Sequence, residues 1–584
     1  MSAEKLITDH IDIWTSAIKA KSASGRGSSK KRELYGIKKL RELILELAVR
    51  GKLVPQDPSD EPASLLLERI AAEKAQLVKE KQIKKPKKLA EVSVNEVEFD
   101  APDGWQWIRL NEIGEWGSGS TPKRSVSDFY GGSIPWFKSG ELSSDYISNS
   151  EEHITELALN ETSVRYNNVG DVLVAMYGAT IGKTSILKVR ATTNQAVCAC
   201  TPFSGFLNTY LLVLLKAYKG RLVGMGAGGA QPNISREKII NTVFALPPEK
   251  EQHRIVAKVD ELMALCDQLE QQTEASLDAH QVLVETLLAT LTNSQDATEL
   301  MANWARISEH FDTLFTTEQS IDQLKQIILQ LAVMGKLVPQ DPNDEPAAKL
   351  LERIAEEKAQ LVKEKKIKKQ KALSPIAEDE KPFELPNGWE WCRFGYILQM
   401  ISDYHANGGY KTLKENVELL DTVDYAIMLR TTNFSSKNHR EYKYITEKAY
   451  HFLEKSKLFP GDIIMNKIGD PGATFYVDDR GQPMSLAMNL FLLRTQVVDS
   501  ELVYLYLLSN YEYIRSFANG TSTKTITKEA VANLVFPLAP LSEQVRILKT
   551  VKEMILICEQ LRERLNKLKI TQIHLTDAIV EQAM

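Results

Sequence analysis

Residues 178–184, Gly-Ala-Thr-Ile-Gly-Lys-Thr, have the composition of a loop that cradles phosphate. In such loops backbone amides face the oxygens and a lysine pairs with the charge. The spacing here is one residue short of G-x-x-x-x-G-K-[ST], and Ser-Ile-Leu-Lys-Val follows where a helix N-terminus would be required. The counterpart at 469–474, Gly-Asp-Pro-Gly-Ala-Thr, lacks the Gly-Lys pair. The stretch therefore predicts a tight turn between strands rather than a nucleotide site. Cys198-Ala-Cys200 has no second pair to complete a zinc site and reads as strand core. Glu151-Glu152 reads as solvated surface. The nine histidines are dispersed, and His10 and His310 recur at equivalent helix positions, which suggests packing or partner contact. The chain has no Asn-Pro-Pro or Asp-Pro-Pro tetrapeptide of an amino-methyltransferase, no paired metal-ligating histidine motif and no G-x-S-x-G elbow. No residue is assigned a catalytic or metal-binding role.

What does carry information is a repeat. Gly-Lys-Leu-Val-Pro-Gln-Asp-Pro stands at 51–58 and again at 335–342, and the surrounding match, 48–85 against 332–369, holds 32 identities in 38 positions. Turn residues recur for no hydrophobic reason, so the string marks an internal duplication. In each copy a helix (37–50, 321–334) enters the turn and a second helix leaves it. Asp60 and Asp344 stand where an N-cap is wanted, before a Glu-Pro pair. Farther on, Phe-Asp-Ala-Pro-Asp-Gly-Trp-Gln-Trp (99–107) matches Phe-Glu-Leu-Pro-Asn-Gly-Trp-Glu-Trp (383–391).

A second signal, VFALPPEKEQHRIV at 243–256 and VFPLAPLSEQVRIL at 535–548, leads into long helices. Their apolar seams step by four and three: Ile255, Val259, Leu262, Cys266, Leu269 and Ile547, Val551, Met554, Cys558, Leu561. The expected length is about 30–37 residues, roughly 45–55 Å. Ile-Thr-Asp-His-Ile-Asp at 7–12 answers Ile-Ser-Glu-His-Phe-Asp at 307–312, with a Gly/Ser/Lys-rich insertion at 22–31 absorbing the changed offset. The order of these markers is that of a two-unit circular repeat cut open within one unit.

Between the helical parts lie two stretches, 104–245 and 388–540, rich in aromatic and β-branched residues, Gly and Asn. Each predicts a mixed domain of short strands. The fold class expected is α+β: two globular mixed α/β modules separated by long antiparallel helices in a circularly permuted, pseudo-two-fold repeat. The boundaries drawn are 1–98 helical, 99–245 first module, 246–382 central helical spacer, 383–540 second module and 541–584 terminal helix. Hydrophobic content of 43% and charged content of 26% are those of an ordinary soluble protein, and five scattered cysteines fit a reducing cytoplasm. The net charge of −5 carries no hint of nucleic acid.

Several features together resemble the specificity subunit of a type I restriction–modification enzyme over essentially the whole chain. They are the GWxW openings at 104–107 and 388–391, Ile134-Pro-Trp-Phe137, the Gly-Asp strand at 170–175, the Gly-Ala-Thr-Ile-Gly turn, Asn194-Gln195, and Glu-Gln-x-Arg-Ile at 251–255 and 543–547. The extended N-terminal segment resembles the type IB branch. The resemblance implies a non-catalytic subunit with two target recognition domains, each reading half of a bipartite double-stranded DNA site. It implies two methylase subunits and two restriction/translocase subunits as partners in the bacterial cytoplasm. S-adenosylmethionine, ATP and Mg²⁺ would sit on those partners and no cofactor on this chain.

Within that reading, residue type nominates the DNA contacts. In the first module these are Ser118, Ser120, Thr121, Lys123 and Arg124, the last two suited to guanine, and Gln231 and Asn233, suited to adenine. In the second they are Tyr404, His405, Asn407, Thr521, Ser522 and Lys524. The basic tails Lys84, Lys85, Lys87, Lys88, Lys368 and Lys369 read as solvated linker. Rival readings are a coiled-coil scaffold without DNA recognition, against which the two divergent modules speak, and a methyltransferase or nuclease in its own right, against which the missing tetrapeptide speaks.

Overall fold

A computed structural model describes residues 3–20, 32–85, 89–226, 232–365, 372–434, 440–495, 497–520 and 523–584. It divides into two compact units, Met1–Leu277 with Leu568–Met584, and Asp278–Lys567. The division falls within the two longest helices, Glu249–Thr292 of 44 residues and Leu541–Ala583 of 43. Both outrun the length expected from their first seams. Neither contains Gly or Pro, and apolar positions continue to be buried at Val284, Leu288 and Leu291 in one and at Ile579 in the other.

In the first unit the helix Tyr35–Val49 buries Ile37, Leu40, Leu43, Ile44 and Leu47 against the seam Ile255, Val259, Leu262, Cys266 and Leu269. Arg41 fixes the pairing at its exposed margin, reaching Asp267 at 2.7 Å and Glu270 at 2.5 Å. In the second unit Glu318–Val333 does the same against Ile547, Val551, Met554, Cys558 and Leu561. A five-position seam of this kind removes each side chain from water for roughly 1.5–3 kcal/mol apiece.

Each module holds a main sheet, a second sheet and a two-stranded ribbon that joins its two ends, Gln106–Arg109 with Val243–Leu246 in the first and Glu390–Arg393 with Val535–Leu538 in the second. In the first, the main sheet runs Gly114–Ser118, Val197–Pro202, Val172–Ala175, Thr184–Leu187, Tyr146–Ile147. The second module repeats the order as Leu398–Asp403, Leu490–Thr495, Ile463–Asn466, Thr474–Tyr476. Both faces of these strands are buried. Val172, Val174, Cys198 and Cys200 join one core while Leu173, Ala175, Val197 and Ala199 join another. Ile463, Met465, Phe491 and Leu493 divide from Ile464, Leu490 and Leu492 in the same way. That is why Val-Leu-Val-Ala and Ile-Ile-Met-Asn read as unbroken apolar runs instead of alternating. The cysteine pair is strand core, both thiols free and fully buried.

The repeated octapeptide turns out to be one wall of a node built from three distant motifs. Gly51 stops its helix at φ +68°, and a Cβ there would meet Pro102 at 2.5 Å and the Trp105 ring at 3.0 Å. Trp105 donates from Nε1 to Glu251 at 2.9 Å, and Gln56 donates to the other Glu251 oxygen at 2.8 Å. The second unit reproduces this: Gly335 at φ +69° against Pro386 and Trp389, Trp389 to Glu543 at 3.0 Å, Gln340 to Glu543 at 2.9 Å. The second tryptophan of each GWxW packs on the preceding phenylalanine, Trp107 on Phe99 and Trp391 on Phe383, with ring centroids 4.8 and 5.0 Å apart.

Asp60 and Asp344 do not cap the following helices, whose N-cap residues are Pro62 and Pro346 without a side-chain cap bond. The first helical amides, Ala63 and Ala347, instead donate to the Gly104 and Gly388 carbonyls at 2.8 Å. With that cap supplied by backbone, the aspartates accept from Arg254 and Arg546 of the Glu-Gln-x-Arg motifs, each at 2.6 Å.

Candidate nucleic-acid interface

The antiparallel register brings the variable segments of each module to one rim of its main sheet, the side where the strands turn. In the first module Ser118 pairs with Cys198, Ala175 with Val197 and Val174 with Thr184. The ends of those strands therefore lie side by side. The phosphate-loop look-alike is the tight turn at this rim, a single 3-10 turn, Gly178–Thr180, between antiparallel strands. Gly178 donates to Pro232 O at 2.8 Å and Ile234 to Met176 O at 2.9 Å, which draws the segment around Asn233 onto the same rim.

The loop after Ser118 is pinned rather than free. Gly119 N donates to Val197 O at 2.9 Å, Ser120 N to Thr193 O at 3.0 Å, and the Ser120 and Ser163 hydroxyls lie 2.8 Å apart. The Thr121 hydroxyl donates to Gln195, and Trp136 Nε1 and Tyr130 Oη hold the carbonyls of Ser120 and Pro122 at 3.1 and 2.6 Å. Asn233 is exposed, and so is Lys123, whose ammonium has no partner among the described residues. Arg124 is half-exposed but engaged. It donates to Glu152 at 2.7 Å, and its guanidinium lies 4.6 and 5.0 Å from the Tyr130 and Trp136 ring centroids. Lys138 reaches the other Glu152 oxygen at 2.9 Å. The Arg124 hydrogen bond, and after it that of Lys138, hold the Glu152 carboxyl below the usual carboxylate range.

The second module assembles an equivalent rim. Asp403 pairs with Phe491 and Asn466 with Leu490, so the turn Tyr404–Asn407 emerges beside Lys467 and Asn489. Gly469 N donates to Lys524 O at 3.3 Å and Ile526 N to Lys467 O at 3.0 Å, which brings in the segment that ends at Lys524. Tyr404 is buried with Leu413, Met428 and Ile445, and burial pushes its phenol up. His405 beside it is exposed. The Asn407 amide closes the turn internally: it donates to Tyr404 O at 3.1 Å and to Ser456 Oγ, and its oxygen accepts from Lys455 N at 2.9 Å. Lys524 is exposed. Gln231, Thr521 and Ser522, like Lys87, Lys88, Lys368 and Lys369, lie outside the described residues.

Two rim clusters and a pair of linker locks escaped the sequence reading. Lys138 and Glu152 complete the Arg124 cluster. Asp403, a buried carboxylate, lies 3.5 Å from the Lys467 ammonium and 3.1 Å from that of Lys528. Arg109 and Arg393 lock the linkers that enter each module, each with a two-pronged grip on a glutamate (Glu96 at 2.9 Å, Glu380 at 2.7 and 2.8 Å) plus three backbone carbonyls. Only the last had a usable signal: Gly-Trp-Gln-Trp-Ile-Arg and Gly-Trp-Glu-Trp-Cys-Arg share the arginine. Among the described residues no three His, Cys, Asp or Glu side chains are grouped to hold a metal ion, and no helix is long and apolar enough to cross a membrane.

Known proteins with this sequence pattern agree with one another. The family described as the type I restriction modification DNA specificity domain matches residues 102–279 and 389–569, more than half of the chain. The chain is similar to the type I restriction enzyme EcoAI specificity subunit of Escherichia coli, 44% identical over 607 residues and covering 100% of both proteins. It is similar also to the EcoEI specificity subunit of the same species, 42% identical over 623 residues with the same coverage. Among solved structures, an HsdS subunit from Thermoanaerobacter tengcongensis aligns at 16% identity and a TM-score of 0.43, over 83% of this chain and 97% of that one. This protein belongs to the specificity subunits of type I restriction–modification enzymes, which recognise DNA and carry out no catalysis themselves.

Proposed function

We propose that each module reads one half of a bipartite double-stranded DNA site through its rim, and that the long helices set the unread spacer between the halves. The observation that carries this reading is the contrast between frame and rim. The order of the four shared main-sheet strands and the node geometry are the same in both halves, while the rim side chains are unrelated. Two docking frames of one design with different surfaces suit two different short sequences. Base discrimination would come from the exposed rim residues, with Lys123, Asn233, His405 and Lys524 the freest of the nominated side chains.

The same reading gives the chain two methylase subunits and two restriction/translocase subunits as partners in the bacterial cytoplasm. S-adenosylmethionine, ATP and Mg²⁺ belong to those partners. Support comes from the helices Ala63–Lys79 and Ala347–Lys363. Packing engages Ala63, Leu66 and Ile70 or Ala347, Leu350 and Ile354, yet the exposed Glu68, Ala71 and Ala75 are repeated unchanged as Glu352, Ala355 and Ala359. A surface kept identical in both halves, where packing leaves it free to drift, suits one kind of partner binding twice. The deciding experiment replaces residues 104–245 with those of a relative and determines the methylated motif. One half-site should change and the other persist; a change in both, or in neither, refutes modular reading.

A further inference from the structure

At both rims one carboxylate holds two cations. Glu152 accepts from Arg124 at 2.7 Å and from Lys138 at 2.9 Å, with Glu151 a further 3.5 Å contact of Lys138. Asp403 lies 3.1 Å from Lys528 and 3.5 Å from Lys467. The two clusters are not inherited copies. Arg124 follows the first strand of its main sheet and Lys138 follows the strand Tyr130–Phe137 of the smaller one, whereas Lys467 follows the third strand of its main sheet and Lys528 opens a helix. Different positions have produced the same arrangement at the same rim.

A carboxylate facing DNA repels phosphate, so its presence at both rims calls for a compensating role. We infer that Glu152 and Asp403 are positioning residues: each fixes a pair of cations in the geometry in which they contact DNA. The Glu152 backbone is itself anchored, its carbonyl accepting from Trp136 N at 2.9 Å and its amide donating to Ser150 Oγ at 3.3 Å. Against that fixed point Arg124 is constrained on two sides. Its face is covered by Tyr130 and Trp136, and its Nη1 is taken by Glu152. The remaining guanidinium edge is presented in one plane, as a bidentate contact to a guanine requires. In the second module Lys467 and Lys528 are each about one-third exposed, with Asp403 buried beneath them. Two ammonium groups would otherwise repel and disperse, and the carboxylate keeps them together at a net charge of one.

This inference rests on the rims contacting DNA, and the test separates the two claims. The full chain, in complex with its methylase subunits, is used to select bound duplexes from a randomised library, and affinities for selected and unrelated duplexes are then compared. Glu152→Gln removes one negative charge, so simple electrostatics tightens binding to every sequence alike. Positioning instead lowers the ratio of specific to non-specific affinity by about tenfold at the first half-site and leaves the second unchanged. Asp403→Asn should do the converse. Because Asp403 is buried, Lys528→Met serves as a second variant, and thermal unfolding checks that the fold survives. Arg124→Lys, which keeps the charge without the fork, should reproduce the loss seen with Glu152→Gln. An unchanged or proportionally raised specificity ratio in Glu152→Gln overturns the positioning role while leaving rim binding intact. If Arg124→Ala and Lys467→Ala also leave DNA binding untouched, the rims do not contact DNA and both claims fall.

Discussion

Replacing Glu251 by alanine should be among the most damaging single changes outside the rims. Its carboxylate is about 1% exposed and joins Trp105 of the first GWxW motif to Gln56 of the repeated octapeptide, at 2.9 and 2.8 Å. Truncation leaves the Trp105 indole N–H buried without an acceptor, which costs about 1–3 kcal/mol, and removes the acceptor of the hydrogen bond that the Gln56 amide donates, a further increment of similar order. A total near 3 kcal/mol is expected, read from urea unfolding of the full chain followed by indole fluorescence. Glu251→Gln retains an acceptor for the indole and should cost less than about 1 kcal/mol. The duplication supplies its own control. Trp389 and Gln340 meet Glu543 at 3.0 and 2.9 Å, so Glu543→Ala should match Glu251→Ala within about 0.5 kcal/mol.

The same glutamate has a pH signature. Burial raises the Glu251 carboxyl above its ordinary value, although the bonds from Trp105 and Gln56 act the other way. The native state then binds this proton more tightly than the unfolded chain, so the group's contribution is complete at acid pH and is lost as pH rises through the raised value. Glu251→Gln has no such loss, and its deficit relative to the parent should shrink as pH rises above the ordinary carboxylate range. A Glu251→Ala protein as stable as the parent would refute the node as a stabilising element.

Two further perturbations follow. Lys358 is half-buried, its ammonium donating to Gly395 O at 2.9 Å. Burial lowers its amine from 10.5 to about 8, so ionisation costs native stability below about pH 8 and that cost fades as pH approaches 10.5. Lys358→Met should therefore raise the unfolding midpoint at pH 7 and lose that advantage by about pH 10, as thermal scans at the two values would establish. Inserting four residues, about one turn or 6 Å, into the stretch 262–290 of the helix Glu249–Thr292 should lengthen the unread spacer by one base pair, or two, with both half-sites unchanged. An active variant with an unaltered spacer would show that the helices hold the modules without measuring between them.

Much of the frame was legible because it rests on local rules or on repetition. The seam Ile255–Leu269 is a period of four and three, the 178–184 stretch lacked the helix a phosphate loop needs, and the octapeptide declared a corner by occurring twice. What the letters did not carry was convergence. Gln56, Trp105 and Glu251 stand in three separately recognisable motifs, yet nothing in their spacing says that they meet. Asp60 looked like a cap because its local context asks for one, and the cap came instead from the carbonyl of Gly104, forty-odd residues away. The rim suffered most. Asn407 has the side chain of a base reader and spends it closing its own turn. Asp403, Lys467 and Lys528 are scattered across the module and become a cluster only through strand register.

The central claim is that two different rims on one duplicated frame read two different half-sites. Methylome sequencing of cells expressing this chain with the methylase subunit of its system tests that most directly. The expected result is adenine methylation at a single motif made of two unlike half-sites, separated by a spacer of fixed length and indifferent sequence. A continuous motif, or a palindrome of two identical half-sites, would contradict the account.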